Sequence, residues 1–231
     1  MKLSIIFSCQ IFILFLILFV NLSFADEVRS TCFGSTKKGS LKNGVKLPRR
    51  GKNFKSYSWI AGIVGRTYVH SAVKEIMIDA YAELARTHPD IVYKYAETGF
   101  EEGGRFKPHK THQNGLSVDH MVPVKKNDKS VHLPTNAFNK LGYAIEFNLE
   151  GKYKDYHLDY EALGALIKEI HRQAVAKGYE IWRVIFDPRM SPNLFKTSHG
   201  KYLKKNIRFS KNKSWVRHDE HIHIDFRVPC Q

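Results

Sequence analysis

The stretch "HIHIDFRV" (221–228) is the cleanest alternation in the chain, and the fold turns on it. Successive side chains of an extended strand point to opposite faces, so His221, His223, Asp225 and Arg227 share one side. Ile222, Ile224, Phe226 and Val228 share the other, an apolar face suited to packing on a helix. Two imidazoles then stand about 6.5–7 Å apart along the polar side. A single histidine there would read as an exposed edge. Two on one face, preceded by His218, read as a built site.

Working outward, "EIWRVIF" (180–186) and "IVYKYAE" (91–97) are rich in β-branched and aromatic residues and are expected as strands. "LSVDHMVPV" (116–124) also alternates, with Leu116, Val118 and His120 on one side and Ser117, Asp119 and Met121 on the other. Val73, Ile76, Met77, Ala80, Tyr81 and Leu84 recur at helical spacing within 71–90, and Pro89 ends that helix. A second helix over 160–178 sets Leu163, Leu166, Ile167, Ile170 and Ala174 on one face. Asp159 is its expected N-cap and Gly178 its stop. Residues 98–115 are punctuated by Gly and Pro and read as a loop. Residues 35–57, rich in Gly, Lys and Ser, read as an irregular basic arm. The whole predicts one α+β domain: a small, mostly antiparallel sheet, poor in hairpins, carries the site and helices flank it.

The chain opens Met1-Lys2 and continues "LSIIFSCQIFILFLILFV" (3–20), almost wholly apolar. Ser23 and Ala25 flank Phe24, a small-x-small exit that fits a secretory signal over residues 1–25, cut after Ala25. An uncleaved anchor is the alternative, because the run approaches bilayer-spanning length. Residues 26–231 are then one domain of ordinary size. Lys and Arg number 37 against 22 Asp and Glu, a formal charge of +15 that favours polyanionic partners: nucleic acid, anionic lipid or an acidic wall polymer. Charge does not choose among them. Past the leader only Cys32 and Cys230 remain, and in an oxidising compartment they are expected to pair.

The other half of the site lies in "HKTHQNGLSVDHMVPV" (109–124). His112 sits in the loop and Asp119 seven residues on in a strand, with Gly115 between them to let the backbone bend. With one histidine of the final strand, the set is two imidazoles and one carboxylate. A mononuclear catalytic zinc takes three such ligands and keeps a fourth position for water, whose pKa it lowers to about 7. The remaining histidine is then free to carry a proton.

"HKTHQNGLSVD", followed far downstream by "HDEHIHIDF", resembles the penicillin-insensitive murein endopeptidases. These belong to a wider group of zinc peptidases with the D-Ala-D-Ala peptidases and lysostaphin-like enzymes. The opening arm, "GSTKKGSLKNGVKLPRRGKNF", is also similar to theirs. The resemblance implies one Zn2+ per chain on His112, Asp119 and His223, with His221 as general base or transition-state stabiliser. It implies that His109 and His218 line the site or orient its members. It further implies a periplasmic hydrolase of peptidoglycan cross-links, indifferent to penicillin because no serine is acylated. Neither a specific nucleic-acid partner nor membrane insertion after signal cleavage is expected. Ser117 stands where an aspartate often precedes the ligand by two, a loss expected to weaken metal orientation. The region of Asp155, His157 and Asp159 does not match and is left outside the site.

Two other classes fit parts of the sequence. "VDHMVP" (118–123) resembles the heart of His-Asn-His nucleases, with Asn139 and Asn148 downstream. That reading leaves His112, His221 and His223 unemployed and places His120 on the face opposite Asp119. A non-catalytic wall-binding domain would use the basic, aromatic run from Phe195 through Lys204, Lys213 and Trp215, yet it leaves a complete ligand set without a role.

Overall fold

The computed structural model describes residues 29–211 and 216–231. The signal expected over 1–25, together with Lys213 and Trp215, lies outside the described residues. The chain begins with strands β1 (Thr31–Ser35), β2 (Lys38–Lys42), β3 (Val45–Lys46) and β4 (Phe54–Ser56). A short helix α1 (Trp59–Ile63), strand β5 (Tyr68–Val69), helix α2 (Ser71–Thr87) and strand β6 (Tyr93–Tyr95) follow. After a long loop come β7 (Ser117–Met121), β8 (Val124–Lys126), β9 (Lys129–Val131), β10 (Lys152–Tyr153) and β11 (Tyr156–Leu158). Helix α3 (Tyr160–Ala176), strand β12 (Glu180–Ile185), helices α4 (Ser191–Phe195) and α5 (Gly200–Asn206), and strand β13 (His221–Arg227) complete it.

The two long helices form where the spacing places them. In α2, Val73, Ile76, Met77, Ala80, Tyr81 and Leu84 are all buried, and His88 caps the helix just before Pro89. Its N-cap is His70, whose Nδ1 accepts from Ala72 N at 3.1 Å. In α3, Asp159 caps the N-terminus through Ala162 N at 3.1 Å, and Gly178 takes the left-handed backbone that ends the helix.

The central sheet has the order β12-β13-β7-β6-β4 and is antiparallel except for the β4–β6 edge. Strand β13 is therefore interior, and its two faces have different fates. Ile222, Ile224 and Phe226 join one core with Ile76 and Met77 of α2 and Leu166 and Ile170 of α3. His221, His223 and Asp225 are buried on the opposite face. Register puts His223 opposite Asp119, and Asp225 opposite Ser117. On the other flank a bulge between Ile181 and Arg183 skips Trp182, which brings Arg183 level with Asp225.

Two expectations need correction. Residues 35–57 are not an irregular arm: they carry part of the β1–β2 hairpin, β3, and β4 at the edge of the main sheet. Nor is the fold poor in hairpins, since β8–β9 and β10–β11 add two more in a second, four-stranded sheet. These strands are two to five residues long and largely polar, so they form by pairing with a partner strand and not from an apolar pattern of their own. The disulfide Cys32–Cys230 is present, joining residues 198 apart in sequence, with Cα atoms 4.8 Å apart. It ties β1 to the C-terminus, where Gly34 N donates to Gln231 O and Gln231 N donates to Cys32 O.

Candidate metal centre and active site

Asp119, on the polar face of β7 and without solvent exposure, is the hub of the site. Its Oδ1 faces His223 Nδ1 at 2.8 Å and His112 Nε2 at 3.2 Å. Its Oδ2 accepts from Tyr143 Oη at 2.9 Å and lies 3.6 Å from His109 Nδ1 and 3.8 Å from His221 Nε2. Burial by itself would raise this carboxyl, but the surrounding imidazoles, His112 and His221 foremost, hold it well below the ordinary carboxylate range.

Each converging ring is anchored by its other nitrogen. His112 Nδ1 donates to Thr98 O at 2.9 Å, which leaves Nε2 facing Asp119, and burial lowers the pKa of this ring although Asp119 opposes that. Nε2 is fully buried and has no hydrogen-bond partner, although Asp119 Oδ1 is close. His112 also takes positive φ (69°), and Gly115 at φ 75° lies where an added Cβ would meet His70 N at 2.7 Å. The backbone between the two parts of the motif bends as only glycine permits at that point. His223 Nε2 donates to Asp225 Oδ1 at 2.8 Å, leaving Nδ1 toward Asp119. Burial works against charge on this ring, but Asp225 and Asp119 on either side push it up to about 10.

Asp225 is itself held by Ser117 Oγ at 2.6 Å and by Arg183 Nε at 2.6 Å. Ser117, where the resemblance expects an aspartate, donates its hydroxyl to Asp225, and Asp225 in turn orients His223. Strand alternation had already placed Asp225 on the correct face. Metal-bound histidines ordinarily hold such a carboxylate on the far nitrogen, and His112 uses a backbone carbonyl in the same way.

The remaining histidines line a cavity of about 630 Å³. His221 Nδ1 is bound to Glu220 Oε1 at 2.7 Å. Burial opposes its protonation, but Glu220 and Asp119 outweigh that and raise its pKa above the ordinary value. His218 packs on His221 with ring centroids 4.6 Å apart, its Nδ1 against Val216 O. His109 Nε2 pairs with Glu97 Oε2 at 2.5 Å. The cavity wall is formed by Pro108, His109 and Tyr143, whereas Gly103 and Gly104 do not line it. Glu97 and Tyr143 come from separate elements, and no spacing links them to the histidines, whereas Glu220 directly precedes His221 in the sequence. His120 faces the other way, against Tyr81 of α2 and Tyr93, and Asn139 and Asn148 are spent on local turns. The nuclease geometry is not assembled.

Glu97 also ties the site to the frame through Arg66, at 2.5 and 2.9 Å, and through Tyr57 Oη at 2.8 Å. Burial would raise its pKa, but His109 and then Arg66 hold it at about 2. A folded-state pKa below the unfolded one stabilises fully above the ordinary carboxylate range, and the gain is lost as pH falls toward 2. Denaturant unfolding of the metal-free protein should therefore show Glu97→Gln costing about 3 kcal/mol at pH 6 and progressively less from pH 4.5 toward 2.

His109, His112 and Asp119 each offer a ligand atom within 4.8 Å of one another, a group able to hold a metal ion. The unpartnered Nε2 of His112 and the nitrogen of His223 aimed at the same carboxylate oxygen fit an ion there as well. No helix among the described residues is long and apolar enough to cross a membrane. None of the curated proteins compared with the chain matches it. With a two-part His/Asp and His-x-His centre, a disulfide suited to an extracytoplasmic compartment, and residues 32–231 matching the family model of that description, the chain belongs to the penicillin-insensitive murein endopeptidases, hydrolases that act on peptidoglycan.

Proposed function

We propose that the chain is a zinc-dependent endopeptidase that cuts peptide cross-links of murein in the periplasm, after a signal over residues 1–25 is removed. His112 Nε2, Asp119 Oδ1 and His223 Nδ1 would hold the ion. The observation that carries this reading is the convergence of two oppositely anchored imidazoles on one carboxylate oxygen, at 3.2 and 2.8 Å. Two nitrogens and one oxygen make the donor set of a catalytic zinc with a vacancy. When bound, zinc supplies a water acidified to a pKa of about 7 and polarises the scissile carbonyl.

The chain's own groups do the rest. His221, with its raised pKa and its Nδ1 held by Glu220, presents Nε2 to the cavity as a proton donor. It would stabilise the oxygen on which negative charge develops and then protonate the leaving amine. Tyr143 fixes Asp119 Oδ2, so that Oδ1 is the oxygen left for the metal. Arg183 and Arg217 line the same cavity, each already paired with a carboxylate, Arg183 with Asp225 and Arg217 with Glu146 and Asp219.

Because Asp225 sets the tautomer of His223, Asp225→Asn should weaken zinc binding by about 10–100-fold, read by competition against a chromogenic chelator. The function itself is tested by incubating the mature chain with purified cross-linked sacculi and following the products by mass spectrometry. Cross-linked dimers should become monomers, with about one zinc per chain, and chelation should stop the reaction until zinc is restored. Cleavage that persists without metal, or magnesium-dependent loss of plasmid in its place, would sink the reading.

A further inference from the structure

Tyr57 and Leu141 line the catalytic cavity and also a second cavity of about 950 Å³. Arg49, Arg50, Lys52, Lys55, Lys94 and His132 line this second space, and no Asp or Glu does. Among the described residues, these four lysine and arginine side chains of the 49–55 segment and Lys94 take part in no ion pair. Strands β4 and β6 pair so that Lys55 lies level with Lys94. Like charges set side by side across two strands repel one another.

Lys94 is only 5% exposed, and its Nζ donates to Thr135 Oγ1 at 2.9 Å and to Leu133 O. An ammonium has three donors, so one is not used by the protein. Asn53, 4% exposed, lines the same cavity, and its Nδ2 has no hydrogen-bond partner. Burial and then Lys55 press the Lys94 pKa down to about 7, and burial with Lys55 and Lys94 presses His132 down to about 4. These groups crowd one another because nothing negative stands among them. A buried donor without a partner and a set of cations without a counter-charge both favour an anion in the space they line.

We infer that the second cavity is an anion subsite, which takes a free carboxylate of a murein peptide stem while the cross-link lies in the catalytic cavity. The inference rests on the proposed function for the identity of the polymer. The two spaces adjoin at Tyr57 and Leu141, which favours the same strand as occupant of both. Trp59, 61% exposed at the rim, offers a flat apolar surface for the rest of that strand.

The probe is an uncross-linked stem tetrapeptide with free carboxylates, compared with its fully amidated counterpart, titrated into the mature chain. The free-carboxylate peptide should shift the Asn53 side-chain amide resonance, and the amidated one should not. In the double variant Arg50→Gln, Lys55→Gln, both exposed positions, affinity for the free peptide should fall at least tenfold. Equal binding of the two peptides, or affinity unchanged in the double variant, would overturn the subsite. Inorganic phosphate or anionic vesicles binding there more tightly than the peptide would overturn the choice of a carboxylate. Sacculus digestion by the wild-type chain runs in parallel. Hydrolysis without the Asn53 shift counts against the subsite alone, whereas the shift without hydrolysis supports the subsite and counts against the enzymatic reading.

Discussion

In His223→Ala the chain should lose its zinc and with it all hydrolysis of murein, whereas His221→Ala should keep the zinc and still fail to turn over. The two imidazoles differ in what their nitrogens meet. His223 directs Nδ1 at Asp119 Oδ1 from 2.8 Å, with Nε2 locked on Asp225. His221 directs Nε2 toward the other oxygen from 3.8 Å, with Nδ1 locked on Glu220. Loss of a group that meets charge only in the transition state costs about 10²–10³ in kcat. Metal analysis beside kinetics separates the two roles: zinc retained in His223→Ala and lost in His221→Ala would reverse them. His109→Ala tests the neighbouring trio, because zinc lost there and kept in His223→Ala would move the ion onto His109, His112 and Asp119. Zinc uptake should also release about one proton. In the metal-free protein His223 is pushed up to about 10, and Nδ1 must give up its hydrogen to bind. Calorimetry in buffers of different ionisation enthalpy counts that proton.

Removal of the disulfide should be the most costly structural change. Cys32 and Cys230 lie 198 residues apart in sequence, and the loop-entropy model puts the loss at up to about 5 kcal/mol, with measured values usually lower. Urea unfolding of Cys32→Ser, Cys230→Ser beside the wild type reads it directly. The effect should reach the site. The β1–β2 hairpin that the bond pins to the C-terminus accepts Gln113 N at Thr36 O and Gly104 N at Gly39 O, and so braces the loop carrying His112. Zinc affinity of the double variant should fall together with stability. Unchanged affinity would mean that the loop holds His112 without the hairpin.

Much of the fold can be read along the chain wherever one element carries its own periodicity. The faces of α2 and α3, the Asp159 cap and the two sides of β13 follow from residue spacing, because each is set by neighbours a few positions away. The strands of residues 31–56 do not, since "TCFGS" and "KGSLK" show no apolar alternation and become strands only when paired. The site divides in the same manner. His112, Asp119, His221 and His223 announce themselves in two short motifs, and Asp225 stands on the right face of its strand. Glu97 and Tyr143 carry no such mark, and Glu220 is marked only by its place beside His221. Where the resemblance expects a carboxylate at 117, Ser117 instead pairs across the strands with Asp225 and donates its hydroxyl to it.

The linear order of residues thus determined which groups have metal-ligand chemistry and on which side of a strand each must point, because backbone geometry alone sets that parity. Only the tertiary structure decided which nitrogen of each ring is left over. Strand register and the Trp182 bulge set Asp225, Arg183 and His223 side by side, and the loop of residues 98–115 brings Thr98 O to His112. Which nitrogen of an imidazole is left for a metal is determined by the partner on its other nitrogen, and for His112 and His223 that partner arrives from another part of the fold or from the packing of the strand.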